Sequence, residues 1–262
     1  MDIKYKRILL LGAVLVIIYS ATAFTAAASP HAAASDILSY IQIGEEEMSE
    51  LKSETSNILS LANDFSIDMS RTVTEKDIDW SKLTKMYLPT EELQNSDTIN
   101  VEDFLQNTEY IWTLQIEVDS KTIQIVFNKG KPVDDDVREF LTDRQIENLE
   151  SYVGKWRASG AIFHESVVDY EKDVQHVFLA TNLPEEYYYF IVTALPGIHT
   201  PMAIVMKGNT LQYAFPALRI ANEQFAEEAM IPKGQLSTEG LYDYLDIIGY
   251  SNSYLINSKN GV

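Results

Sequence analysis

The chain has no cysteine among its 262 residues. That excludes disulfides, thiolate metal sites and thiol nucleophiles, and leaves packing as the source of stability. Glycine is scarce too, at 11 residues, and no glycine-rich run opens a helix, so no phosphate-cradling loop is present. Gly-x-Ser-x-Gly and Asp-Thr/Ser-Gly nucleophile signatures are both missing, as is any Asn-x-Ser/Thr glycosylation sequon. Histidine occurs only 4 times. Positive charge is also in short supply, with 20 Lys and Arg against 39 Asp and Glu, a net charge of −19. Such a surface repels nucleic acid and anionic lipid and favours solubility, cations and basic partners.

The first 35 residues carry the strongest positive signal. Lys4, Lys6 and Arg7 precede an unbroken apolar run from Ile8 to Ile18, and a small-residue tract follows from Ala21 to Ala34. This is the order of a secretory leader: basic start, short hydrophobic stretch, small-residue cleavage zone. Cleavage after Ala28 is the expected outcome, which makes residues 1–28 a signal peptide and 29–35 an Ala/Ser linker. The rival reading is an uncleaved anchor, since Ile8 to Ala28 is 21 residues without a charge. The first 28 residues hold three of the 20 basic and one of the 39 acidic residues, leaving 17 against 38 and a net charge of −21 in the remainder. The expected location is therefore secreted or extracytoplasmic, with membrane contact only through an uncleaved N-terminus.

Residues 36–107 read as a helical segment. Ile41, Met48, Leu51, Thr55, Ile58, Ala62 and Phe65 recur at spacings near 3 and 4, with glutamates on the other side, which predicts one long amphipathic helix from Asp36 to Ser70. Shorter helices are expected over 77–87 and 101–106. Residues 108–262 read as an α+β sheet domain, possessing its own core or sharing one with 36–107. Tyr110 to Val118 and Ile123 to Phe127 alternate about a turn at Asp119-Ser120 and predict a hairpin. A helix bent near Thr142 follows, where Thr142 and Gln145 form a capping box. Strands are then expected at 162–168, 175–181, 187–195, 202–206 and 210–215, and helices at 219–228 and 238–248. The fold class is α+β: an antiparallel sheet of six to eight strands with helices on one face, preceded by the long N-terminal helix.

Three stretches echo one another: Thr122 to Phe127, Thr210 to Phe215 and, more faintly, Val174 to Phe178. Alternating strands draw on few residue types, so chance similarity accounts for them.

Chemistry is thinly marked. His164-Glu165 begins like a zinc helix, but Val168 stands where the second histidine belongs. His164 and His176 are expected to face each other across a hairpin. Asp134-Asp135-Asp136 lacks the alternation, glycine and distal glutamate of a calcium loop and suits a helix cap. No metal site and no cofactor is assigned. The remaining resource is aromatic. Tyr187, Tyr188, Tyr189 and Phe190 place rings on both faces of one strand, Trp112 adds another, and His199 lies in a Gly/Pro-flanked loop. Tyr187, Tyr188, Tyr189, Trp112 and His199 are the candidate ligand-binding residues, with a pocket between sheet and helix as their setting. The expected function is a non-catalytic module binding a small ligand or a protein. An extracellular hydrolase using acids and a histidine is one alternative, and a membrane-anchored structural envelope protein is another.

Overall fold

The computed structural model describes residues 42–65, 69–183, 187–195, 197–232, 235, 237 and 240–259. The leader, the Ala/Ser linker and the expected helix before residue 42 lie outside them. Among the described residues no helix is long and apolar enough to cross a membrane.

Eight strands form one mixed sheet: β1 (Leu83–Tyr87), β2 (Tyr110–Val118), β3 (Lys121–Lys129), β4 (Trp156–His164), β5 (Tyr188–Val192), β6 (Met202–Lys207), β7 (Thr210–Pro216) and β8 (Tyr242–Asp243). Their order is β4-β3-β2-β1-β5-β6-β7-β8. The sheet is therefore two antiparallel meanders, β1 to β4 and β5 to β8, joined side by side. The join is parallel and short, pairing Met86 with Ile191 and Tyr87 with Val192. This corrects the expected all-antiparallel sheet. A parallel seam between residues about a hundred positions apart leaves no mark on local alternation.

Helices cover both faces rather than one. Among the described residues there are nine: α1 (Glu45–Ser53), α2 (Thr55–Asn63), α3 (Glu91–Asn95), α4 (Val101–Asn107), α5 (Asp135–Arg138), α6 (Asp143–Glu150), α7 (Tyr170–Thr181), α8 (Asn222–Glu228) and α9 (Tyr244–Lys259). On the front face Leu51 of α1 and Ile58 and Ala62 of α2 pack against Trp112, Leu114, Ile116, Ile123, Ile125 and Phe127. On the back face Tyr170 and Val174 of α7 pack against Met86, Ile191, Val205 and Phe215. Strand alternation sends odd and even residues to opposite cores, so each meander has its own covering helix on a different side.

The amphipathic stripe expected along the first helix is the buried one, but the chain breaks at Glu54 between α1 and α2. Ser53 Oγ and Thr55 Oγ1 each donate back to a carbonyl three residues earlier, at 2.6 Å, which offers the backbone an alternative to the helical ladder. Glu50 and Glu54 then serve the sheet. Their carboxylates accept from the backbone N–H groups of Trp156 (3.4 Å) and Ala158 (3.1 Å) on edge strand β4. An open strand edge is thereby partly closed.

Several local readings need correction: the strand expected at 162–168 is β4, at 156–164, and within the helix expected at 238–248 residues 242–243 form β8 and α9 starts at Tyr244. Residues 83–87 are strand, not helix, because Leu83, Lys85 and Tyr87 alternate with Thr84 and Met86 in register with β2. Residues 170–181 are helix, not strand. Asp169 caps it by accepting from Lys172 N at 3.1 Å, and Tyr170, Val174, Val177 and Phe178 fall on the side that faces the sheet. The tail beyond Tyr250 continues α9 instead of forming a strand. The echo at Val174 thus lies on a helix. The other two copies lie on β3 and β7, third in each meander, but one residue out of step: Lys121 follows the first turn and Thr210 the second. The expected β2–β3 hairpin, helix α4 and the capping box at Thr142 are present.

Candidate functional site

The back face of the first meander holds a strip of polar side chains at its centre. Thr113, Gln115, Thr122 and Gln124 are the buried polar residues of the described chain, none more than 5% exposed. They sit on β2 and β3, on the face opposite Leu114 and Ile123. Gln115 donates to Thr113 Oγ1 at 3.0 Å, and Thr122 Oγ1 accepts from Val168 N at 2.9 Å. A buried polar group without a partner is costly, so each of these bonds fixes a side chain.

Gln124 is the node. Its Oε1 accepts from the Tyr170 hydroxyl at 2.9 Å and lies 3.0 Å from His164 Nε2. Gln124 comes from β3, His164 from the end of β4 and Tyr170 from the first turn of α7. Ser159 is the extra residue of a bulge in β4, and it switches the strand's parity so that Ile162 and His164 turn to the back face. Burial lowers the His164 pKa, so its ring is neutral at pH 7, with Nε2 as donor. Burial also raises the Tyr170 hydroxyl well above the usual phenol range.

These three groups open into a cleft of about 480 Å3. Its apolar floor and walls include Met86, Ile111, Val126, Ile162 and Leu218. The rim is the loop before β6, where His199, Thr200 and Pro201 line the opening. Glu228, at the end of α8, holds that loop. Its carboxylate accepts from Thr200 N at 2.8 Å and Thr200 Oγ1 at 2.7 Å, and from His199 N. The Lys82 ammonium, just before β1, pairs with Asp169 at the start of α7 and so pins that helix to the first meander. Both meanders line the cleft, which straddles the parallel seam.

Of the candidate residues read from sequence, His199 alone lines this cleft. Tyr189 is in the back core, its ring 5.4 Å from that of Phe178 on α7. Tyr187 stacks near Tyr213 at 6.2 Å, and Tyr188 pairs with Met206 on the front face. Trp112 belongs to the front core. His164 and His176 do not face each other, because His176 sits on α7 beside a separate small cleft with Asp173 and Arg219. Among the described residues no group of three or more His, Asp or Glu could hold a metal ion.

A second cleft, about 530 Å3, lies where β1 to β4 end, lined by Tyr110, Trp156, Lys129, Lys131 and Glu109. Beside it Lys85 Nζ stands 3.7 Å from the Tyr110 ring centroid and 5.2 Å from that of Tyr87. Burial lowers the Lys85 pKa to about 8, against the opposing pull of Glu47, which itself accepts from the Tyr110 hydroxyl at 2.9 Å. The Lys131–Glu109 pair at its mouth is open to solvent and contributes little to holding it. Here the polar groups are charged and lie at the mouth, whereas the back-face cleft is lined by the uncharged amide, phenol and imidazole of the Gln124 node.

Compared with known protein families, curated proteins and solved structures, the chain shows no match.

Proposed function

We propose that this chain is a non-catalytic binding module of the extracytoplasmic face, and that its back-face cleft takes a small, uncharged, largely apolar ligand. The observation that carries the reading is the Gln124 node: a buried amide, a phenol and a neutral imidazole set into an otherwise apolar wall. A few convergent polar groups in an apolar concavity are the usual make-up of a small-molecule site. The ligand is uncharged because the side chains at the node are neutral at pH 7, and the Glu228 carboxylate is already engaged by the loop it holds. The chain's net charge of −19 works against an anion as well.

The hydrolase alternative gains no support here. His164 donates to an amide oxygen, which cannot stabilise an imidazolium as a carboxylate does. Export rests on the leader at residues 1–28 and is part of the same proposal.

Nile red, a neutral apolar dye, tests the ligand class by fluorescence titration of the full chain. Binding should weaken at least about tenfold in Ile162→Trp and Leu218→Trp, which fill the cleft from opposite sides. Dye binding untouched by both variants, or an anionic naphthalene sulfonate bound equally well at the same place, would overturn the reading.

A further inference from the structure

Between β3 and β4 the chain leaves the sheet for an arm, residues 131–155, that carries α5 and α6. Neither helix contributes a buried residue. Phe140 is 83% exposed, Val137 47%, Leu149 40% and Val153 40%. Ile146 and Leu149 share one side of α6, and Val153 follows just beyond it. Helices this short do not persist in water on propensity alone. The arm is held by other means. At its base Gly130 N donates to Lys155 O at 2.9 Å and Gly154 N to Gly130 O at 2.8 Å. Arg138 of α5 pairs with Glu150 of α6, and the Thr142–Gln145 capping box starts α6. The apolar side chains are thus surplus to the arm's own architecture, and exposed apolar surface rimmed by polar residues marks a contact site.

Charge selects what covers it. Between positions 134 and 150 there are seven acidic residues against two arginines, a local net charge of −5. A second copy of the chain would bring the same charge to the same patch, and an anionic bilayer would be repelled. We propose that this arm docks a basic amphipathic helix of a partner protein. The partner's apolar side lies on Phe140 and Leu149, and its lysines and arginines meet the flanking carboxylates.

The test uses the full chain and two synthetic peptides of about 18 residues, long enough to become helical on docking. One is a leucine/lysine amphipathic helix; the other has the same composition scrambled to remove the apolar side. Hydrogen exchange should show protection over residues 137–153 with the first peptide only. Phe140→Asp with Leu149→Asp should weaken its binding at least about tenfold, with the melting temperature unchanged because both side chains are exposed. Should the double variant fold poorly, Phe140→Ser alone gives the same readout. Equal binding of the scrambled peptide, protection elsewhere, or indifference to the substitutions overturns the proposal. So does a dimer in sedimentation, or adhesion to phosphatidylcholine vesicles, that disappears with Phe140→Asp.

Discussion

Tyr170 and His164 meet at a single atom, Gln124 Oε1, one from the helix packed over the sheet and one from the neighbouring strand. His164 ends β4 of the first meander and Tyr170 opens α7, which packs on the second, so this oxygen ties the halves of the molecule together. Replacing Gln124 by Leu leaves a buried hydroxyl and an imidazole N–H without their acceptor. The expected cost is about 1–3 kcal/mol in urea unfolding, larger than for a surface glutamine. Gln124→Glu keeps an acceptor and adds a charge, and should raise the His164 pKa in an NMR titration. An unmoved histidine resonance would show the contact is not made in solution.

The same histidine sets a pH dependence. Burial holds its folded pKa below the ordinary 6.5. The unfolded chain therefore takes up the proton first, and stability falls as pH drops through about 6.5, levelling off once the folded pKa is passed. Thermal melts from pH 7.5 to 5 should show a steeper loss in the parent than in His164→Gln. Parallel curves would contradict this.

Asp169 has two roles at the start of α7: it accepts from Lys172 N at 3.1 Å and pairs with the Lys82 ammonium. Burial pushes its pKa up, but the hydrogen bonds from Lys82 and the Lys172 N–H, together with the charges of both lysines, outweigh that and the net shift is downward. Asp169→Ala should cost about 1–2 kcal/mol, the usual range for a lost cap. Asp169→Ser keeps a capping oxygen and should recover part of it. Equal losses in the two variants would mean the ion pair alone matters.

A Cβ on Gly130 would stand 2.1 Å from the Tyr152 carbonyl oxygen, a backbone atom that cannot turn aside. Gly130→Ala should lower stability by about 1–3 kcal/mol. It should also raise hydrogen exchange across 131–155 specifically. An unchanged urea midpoint would count against the close approach.

Glu54→Ala uncovers the Ala158 N–H on edge strand β4, whereas Glu54→Gln keeps an acceptor in place. Light scattering on gentle heating should rise in the alanine variant and stay near the parent level in the glutamine one. Identical behaviour would remove the capping role.

The hairpin of β2 and β3 was legible because Trp112, Leu114 and Ile116 alternate cleanly with polar neighbours. The capping box at Thr142 was legible from two residues. Helix α7 was not. Val174, Val177 and Phe178 fit a helical stripe with Tyr170, but Val177 to Ala180 is a short continuous apolar run, which suits a buried strand as well as a helix, and the local pattern does not choose. The site shared that fate. Tyr170 falls between two expected strands, and nothing distinguishes Gln124 from any glutamine on a half-buried strand. Its partners arrive from residues 40 and 46 positions away. The aromatic residues that stood out, Tyr189 and Trp112, were conspicuous for the reason cores are: they pack.

The seam between the meanders is two residue pairs long, while the back-face cleft takes its walls from both sides of it. On the proposed function, a guest lodged there would act as a strut across this short join. Its departure would loosen the grip of one half on the other, so that occupancy of the cavity and cohesion of the whole would rise and fall together.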